Sequence, residues 1–588
     1  MKRTPLYLVY LILAVAILTP ATAQQPETFA RVLPEGAVLY ATTQNFESVW
    51  RGIERSNFWT RLTRLELWDD VDFDWYDDFR DGFADSLGFE FSTENVMAVF
   101  GKEFAVALYL DAGEEHETGA KVELIVVCRM NPADAVETMV DKLVERAKGQ
   151  GDDVVISAVE HRDAKIRTIR TKSGIPPIQL RWTMSKGVLI AGIGNGPPNI
   201  EGCLDCMAGE GAPLAANKDV NKLLGMARQD HGTFFSEMYF DLGECRRVLT
   251  EYGGDEPELA PLINMLDIMS ASAEAFTLTT RLDRGLRIKL AMKPGAEGAE
   301  LMKLTSKAAP SAGTHAKYVP PDALMYFGAN SMPPLGELWP HTMKQWAKFG
   351  FDEIVRDVTE QIELALDLDF KADLLDNIGT EFAFTLEGLD VEDRPFPLPR
   401  MTLLLQVKDT AKAQTLIDKV IALLEEAAPP QVPITVTDLA HQGAKLKTVA
   451  VSMGPGIELT PTIGITENFL LISSGRDYAK ATLDAAKAGT SILNSPLYRS
   501  LGIPEKTNSV FFINMTEAMK AGREVVDWFV EMAEMQGAGE DMQEQVDELV
   551  TPLLECLSVL KAVGGYGLVT PEGTSAVYIL RVEDIPAN

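Results

Sequence analysis

The chain has 588 residues, 46 % of them hydrophobic, with 86 acidic against 54 basic side chains and a net charge of −32 at pH 7. So apolar and so long a chain supports two or more cores, which excludes a disordered acidic tail. Its charge repels nucleic acid and anionic lipid, so no nucleic-acid partner is expected, and five cysteines are too few, and odd in number, for a disulfide framework.

Lys2 and Arg3 precede an apolar run from Leu6 to Leu18, which Pro20 and Ala21-Thr22-Ala23 follow. The run is shorter than the ~20 residues that span a bilayer, and the A-x-A triplet marks a secretory signal peptide over residues 1–23. The expectation is an exported protein, periplasmic or extracellular, with no transmembrane anchor after cleavage. Cleavage removes two bases and no acid, leaving 52 bases, 86 acids and a charge of −34.

Ala37 to Thr42 then reads as a strand, and Asn45 offers an N-cap to a helix with Phe46, Val49, Trp50 and Ile53 on one face. Phe104 to Leu110 and Val122 to Met130 read as strands. Asn131-Pro132 starts a helix whose buried stripe is Val136, Met139, Val140, Leu143 and Val144. Four short strands follow with no helix between them: Val154 to Val159, Lys165 to Arg170, Gln179 to Met184 and Gly187 to Ala191. Short turns between consecutive strands make them antiparallel. Two helices fall between about Asp241 and Ser270. A hairpin closes the unit, and its strictly alternating strand Leu286 to Leu290 has one wet face.

The pattern then repeats. Leu33 to Tyr40 (LPEGAVLY) recurs as Val319 to Tyr326 (VPPDALMY), Gly101 to Leu108 as Gly379 to Leu386, and His161 to Thr168 as His441 to Thr448. Phe234 to Glu244 matches Phe511 to Glu517 loosely, and the hairpins at Gly285 and Gly573 correspond. Ordered anchors at nearly constant offset predict a tandem duplication. The expected fold is α+β: a first repeat over 24–293, a linker rich in Gly, Ala, Ser and Lys over 294–318, and a second repeat over 319–588. Each repeat is expected to be a largely antiparallel sheet with helices on one face.

The openings LPEGAVLY and VPPDALMY, behind a signal peptide, resemble those of a family of bacterial exported proteins classed as a domain of unknown function. The resemblance implies a tandem α+β protein and brings no catalytic residues with it.

Motifs that carry chemistry are sparse. Asp70, Asp72 and Asp74 open with the spacing of an EF-hand loop, but Trp75 and Asp81 stand where the turn glycine and the bidentate acid belong, so a solvated acidic loop is expected instead. Cys203 and Cys206 have the spacing of a redox pair. The second repeat has Thr482 and Ala485 there, which favours a local disulfide or two free thiols on a helix. Gly192, Gly194 and Gly196 follow a strand, but Pro197 stands where a dinucleotide site has its third glycine and the parallel setting is missing, so they read as a glycine turn. Ser558 and Lys561 match a serine–lysine spacing inside an apolar helical seam of Leu549, Leu553, Leu557 and Leu560. His161 and His441 alone repeat among six histidines, each as a turn residue.

No catalytic, cofactor or metal site is therefore expected, beyond Asp70, Asp72 and Asp74 as weak metal candidates. The reading is an exported, non-enzymatic binding or assembly protein with an envelope or extracellular protein partner. The alternatives are a hydrolase built from dispersed loop carboxylates and a carrier of an apolar ligand in a groove between repeats.

Overall fold

The computed structural model describes residues 29–62, 102–111, 121–129, 144–145, 154–172, 178–229, 235–253, 259–348, 350–391, 396–427, 434–454, 457–535, 537, 539–570 and 573–583. Residues 1–23, read above as a signal peptide, Asp70, Asp72 and Asp74, and the predicted helix before Val144 lie outside them. The chain forms two compact units that divide between residues 299 and 300. Helices and a large share of antiparallel strand make up both.

Among the described residues of the first unit ten strands run in sequence: β1 (Leu39–Gln44), β2 (Glu103–Asp111), β3 (Lys121–Arg129), β4 (Val154–His161), β5 (Ala164–Thr171), β6 (Gln179–Ser185), β7 (Val188–Gly194), β8 (Ser236–Asp241), β9 (Ala273–Leu282) and β10 (Gly285–Pro294). They pair, always antiparallel, in the order β10-β9-β8-β1-β2-β3-β7-β6-β5-β4. Lys186 and Gly187, at φ 50° and 78°, turn β6 into β7 with the left-handed backbone that a two-residue hairpin requires. Asp241 caps the helix Leu242–Gly253 by accepting from Glu244 N at 2.8 Å. Asn45 departs from expectation: it precedes the helix Phe46–Glu54 in a left-handed conformation, φ 54°, with no side-chain cap hydrogen bond.

The second unit has β11 (Met325–Ala329), β12 (Ile378–Asp390), β13 (Leu398–Val407), β14 (Ile434–His441), β15 (Ala444–Gly454), β16 (Ile457–Leu459), β17 (Thr462–Thr466), β18 (Phe469–Ser473), β19 (Ser509–Asn514), β20 (Leu560–Thr570) and β21 (Gly573–Val582). Its antiparallel order is β21-β20-β19-β11-β12-β13-β18-β17-β15-β14, with β16 folded back on β15. Leu560 opens β20 instead of closing a helical seam, because the helix Thr551–Leu557 has already ended. Within the stretch read as a linker lie a helix, Ala296–Thr305, and a 3-10 turn, Thr314–Tyr318, whose His315, Ala316 and Tyr318 are buried.

The expectation of helices on one face is corrected. The helix Arg476–Ala488 packs Ala479 and Leu483 on Leu404, Leu446 and Leu471. The helix Thr410–Ala427 packs Ala413, Ile417 and Ile421 on Val407, Val449 and Leu470. These strand residues are an odd number apart and so lie on opposite faces. The first unit does the same, with Val127 and Ile190 in its main core and Cys128 and Leu189 in another. Such strands are apolar on both faces, which a period-two reading underestimates.

Candidate functional site

A cleft of about 1000 Å³ opens over one sheet face of the first unit. Cross-strand register builds its floor. One rung runs Val155, Arg170, Gln179, Gly194, Glu123, Tyr109, and the next on that face runs Ser157, Thr168, Arg181, Gly192, Ile125, Ala107. Of the glycines read as a turn, Gly192 and Gly194 lie in the end of β7 instead, and Gly196 follows it. A Cβ on Gly192 would lie 2.5 Å from Pro198 Cβ, so its absence lets the following turn lie flat against the strand. That turn leads to Asn199, which caps the helix Ile200–Ala208 by accepting from Gly202 N at 2.9 Å.

Most charges in the cleft are matched. The Arg181 guanidinium grips both oxygens of Glu201, one at 2.7 Å, and donates to Pro198 O at 2.8 Å. Burial alone would raise Glu201; the hydrogen bonds from Arg181 overcome it and hold the carboxyl below its usual range. Buried Glu123 pairs with Lys121 and accepts from Asn199 N at 3.2 Å. Arg247 pairs with Glu244 at 2.6 Å and Glu251 at 2.7 Å. Tyr109 donates to Pro34 O at 2.9 Å, and burial pushes its phenol above the ordinary range. Arg170 and Glu35 also line the cleft, and neither has an ion pair among the described residues.

At the matching rung the second unit holds Thr437, Thr448, Thr462, Ser473, Thr402 and Thr385. Five of these six are buried, all but Thr437. Thr448 and Thr462 hydroxyls lie 3.1 Å apart, Thr402 donates to Ser473 Oγ at 3.2 Å, and Thr385 donates to Thr402 O at 3.3 Å. Thr482 reaches down from the covering helix to Thr402 at 3.5 Å. Hydroxyls that bond each other fill a place where the first unit puts an arginine and a glycine.

Two further polar groups in the second unit stand out. Glu381 accepts from Thr314 N (2.7 Å), Thr314 Oγ1 (2.9 Å) and His315 Nδ1 (3.2 Å), while Tyr326 Oη lies 2.9 Å from His315 Nε2. Burial works to raise Glu381, but these bonds outweigh it and keep the carboxyl low. Glu387, by contrast, has a buried Oε1 with no hydrogen-bond partner. Burial first, and the Asp322 carboxylate second, push it up to about 7 against the pull of Arg400.

The repeated histidines both meet an aspartate. His161 Nε2 lies 2.9 Å from Asp205 Oδ1, which also accepts from Arg162 Nε at 2.7 Å. His441 Nε2 lies 2.7 Å from Asp484 Oδ1, which accepts from Gln442 at 2.7 Å. Each pair ties a hairpin tip, β4–β5 or β14–β15, to the helix behind it. Between Cys203 and Cys206 no disulfide forms; both are free, buried thiols on the helix Ile200–Ala208, and burial raises each above its usual range. Cys128 is likewise raised to about 12 by burial, an inert core thiol. Among the described residues no three His, Cys, Asp or Glu side chains are placed to hold a metal. None of their helices is long and apolar enough to cross a membrane.

Sequence reasoning missed the cleft, the threonine rung and Glu387. In the alternating run QLRWTM, Gln179, Arg181 and Thr183 share one strand face, a pattern that marks a polar face without saying what covers it. Comparison with known protein families, curated proteins and solved structures finds no match for this chain.

Proposed function

We propose that the chain is an exported binding protein made of two copies of one α+β unit, the first of which takes a small polar ligand in its cleft. The cleft carries this reading: its volume suits a small molecule, and arginines, carboxylates, two amides and hydroxyls predominate over the apolar residues in its walls. The copies are supported by strand orders that correspond one for one, β1 with β11 through β10 with β21, apart from the added β16. Register agrees as well, since Tyr40 and Tyr326 occupy the same rung, opposite Ala107 and Thr385. Export, to the periplasm or beyond the cell, rests on residues 1–23, and the openings LPEGAVLY and VPPDALMY support kinship with the exported family of unknown function.

The test is a thermal-shift and calorimetric screen of the secreted chain against polar metabolites, repeated on Gln179→Trp, which places an indole in the cleft. A ligand that raises the melting temperature of the wild type and not of Gln179→Trp is expected. Ligand binding that survives the indole would place the site elsewhere and overturn the reading. Turnover of the bound ligand would favour the hydrolase alternative instead, with the cleft carboxylates as the groups to test.

A further inference from the structure

The ligand's chemistry follows from which cleft charges remain unmatched, an argument that rests on the binding reading above. Of the cationic lining residues, Lys121, Arg181 and Arg247 each hold a carboxylate, which leaves Arg170 without an ion pair among the described residues. On the acidic side Glu123, Glu201 and Glu244 are paired and Asp111 is engaged, which leaves Glu35.

We infer that the cleft takes a zwitterion of the α-amino-acid type, a free amino acid or a short peptide, with its carboxylate on Arg170 and its ammonium on Glu35. Arg170 sits between Val155 and Gln179 on one rung, and the next rung brings the hydroxyls of Ser157 and Thr168 alongside it. A planar guanidinium with amide and hydroxyl donors nearby suits a carboxylate. Glu35 stands on the opposing loop, which is held in place: its own N donates to Ala212 O at 3.0 Å, and the Pro34 carbonyl before it accepts from Tyr109. Gly36, at φ 94°, completes the bend after Glu35 that leads into β1.

Charge narrows the class further. The acidic molecule repels a dicarboxylate at long range but exerts no such force on a ligand of zero net charge. A neutral sugar would cover Arg170 and Glu35 without answering either charge, which disfavours it. The volume, about 1000 Å³, leaves room for a peptide of a few residues.

The experiment is calorimetry on the full secreted chain with the twenty amino acids and simple dipeptides, beside succinate, malate, glucose and maltose. N-acetyl and C-amide forms of any binder are included. We expect binding by members of the zwitterion panel alone. Either blocked form, or Arg170→Gln or Glu35→Gln, weakens it by tenfold or more, and circular dichroism of both variants stays unchanged because both side chains are exposed. Undiminished binding of the blocked forms, or binding by a dicarboxylate or a sugar in place of the zwitterions, overturns the zwitterion and leaves the cleft a binding site. No binding by any panel overturns both.

Discussion

Glu103 and Glu381 stand at matching places near the start of β2 and β12, and their environments drive them in opposite directions. Glu103 is buried with an unpartnered Oε1, and burial raises it although Arg129 donates to its other oxygen at 3.1 Å. Glu381 is held low by His315 and Thr314. One backbone slot thus supports a carboxyl that resists ionisation or one that favours it, according to the donors that meet it: Arg129 in the first unit, Thr314 and His315 in the second.

The same substitution should therefore have opposite signs in the two units. Glu381→Gln removes the buried charge on which several donors converge and should cost about 3 kcal/mol at pH 7. Because the folded carboxyl titrates below its unfolded value, that stability is present above the unfolded pKa and is lost as pH falls through the folded one. Urea midpoints at pH 7 and pH 3 check it, and an equal loss at both would break the comparison. Glu103→Gln should stabilise at neutral pH, since a raised carboxyl favours the fold only while protonated; a loss like that of Glu381→Gln would show that Arg129 outweighs burial.

Glu387 gives the comparison a pH axis. A carboxyl raised to about 7 supports the fold below its unfolded pKa, and this contribution disappears as pH rises through 7. Glu387→Gln should raise stability by about 2 kcal/mol at pH 8 and leave it unchanged at pH 4. Melting curves across that range measure it, and a pH-independent effect would point to packing alone.

The smallest effects belong to the His–Asp pairs. His161→Ala and His441→Ala should each cost at most about 1 kcal/mol, as expected of half-exposed hydrogen bonds. A loss of several kcal/mol in only one would mark that pair as more than a hairpin tie.

Much of this architecture is legible in the residues. Alternation and turn chemistry gave the run of strands from Val154 onward, and the two helices after Asp241 appeared where their spacing put them. What escaped depends on register, which a single strand does not encode. Thr437, Thr448, Thr462, Ser473, Thr402 and Thr385 are scattered over nearly ninety positions and become one row only after six strands are aligned. The cleft escaped for the same reason, and His161 meets Asp205 across 44 positions. Asn45 misled because its residue type suits a cap as well as a left-handed bend.

The hairpin ties also bear on how each sheet frays. β4 ends the strand order of the first unit and β14 that of the second, and β4 exposes Ile156 and Val159. An end strand with apolar side chains is a template for unwanted pairing once it peels away. With its tip fastened to a helix packed on the inner strands, such a hairpin opens only when that helix yields too. Edge, tip and helix then form one cooperative block, whose amides should exchange with solvent at a common rate.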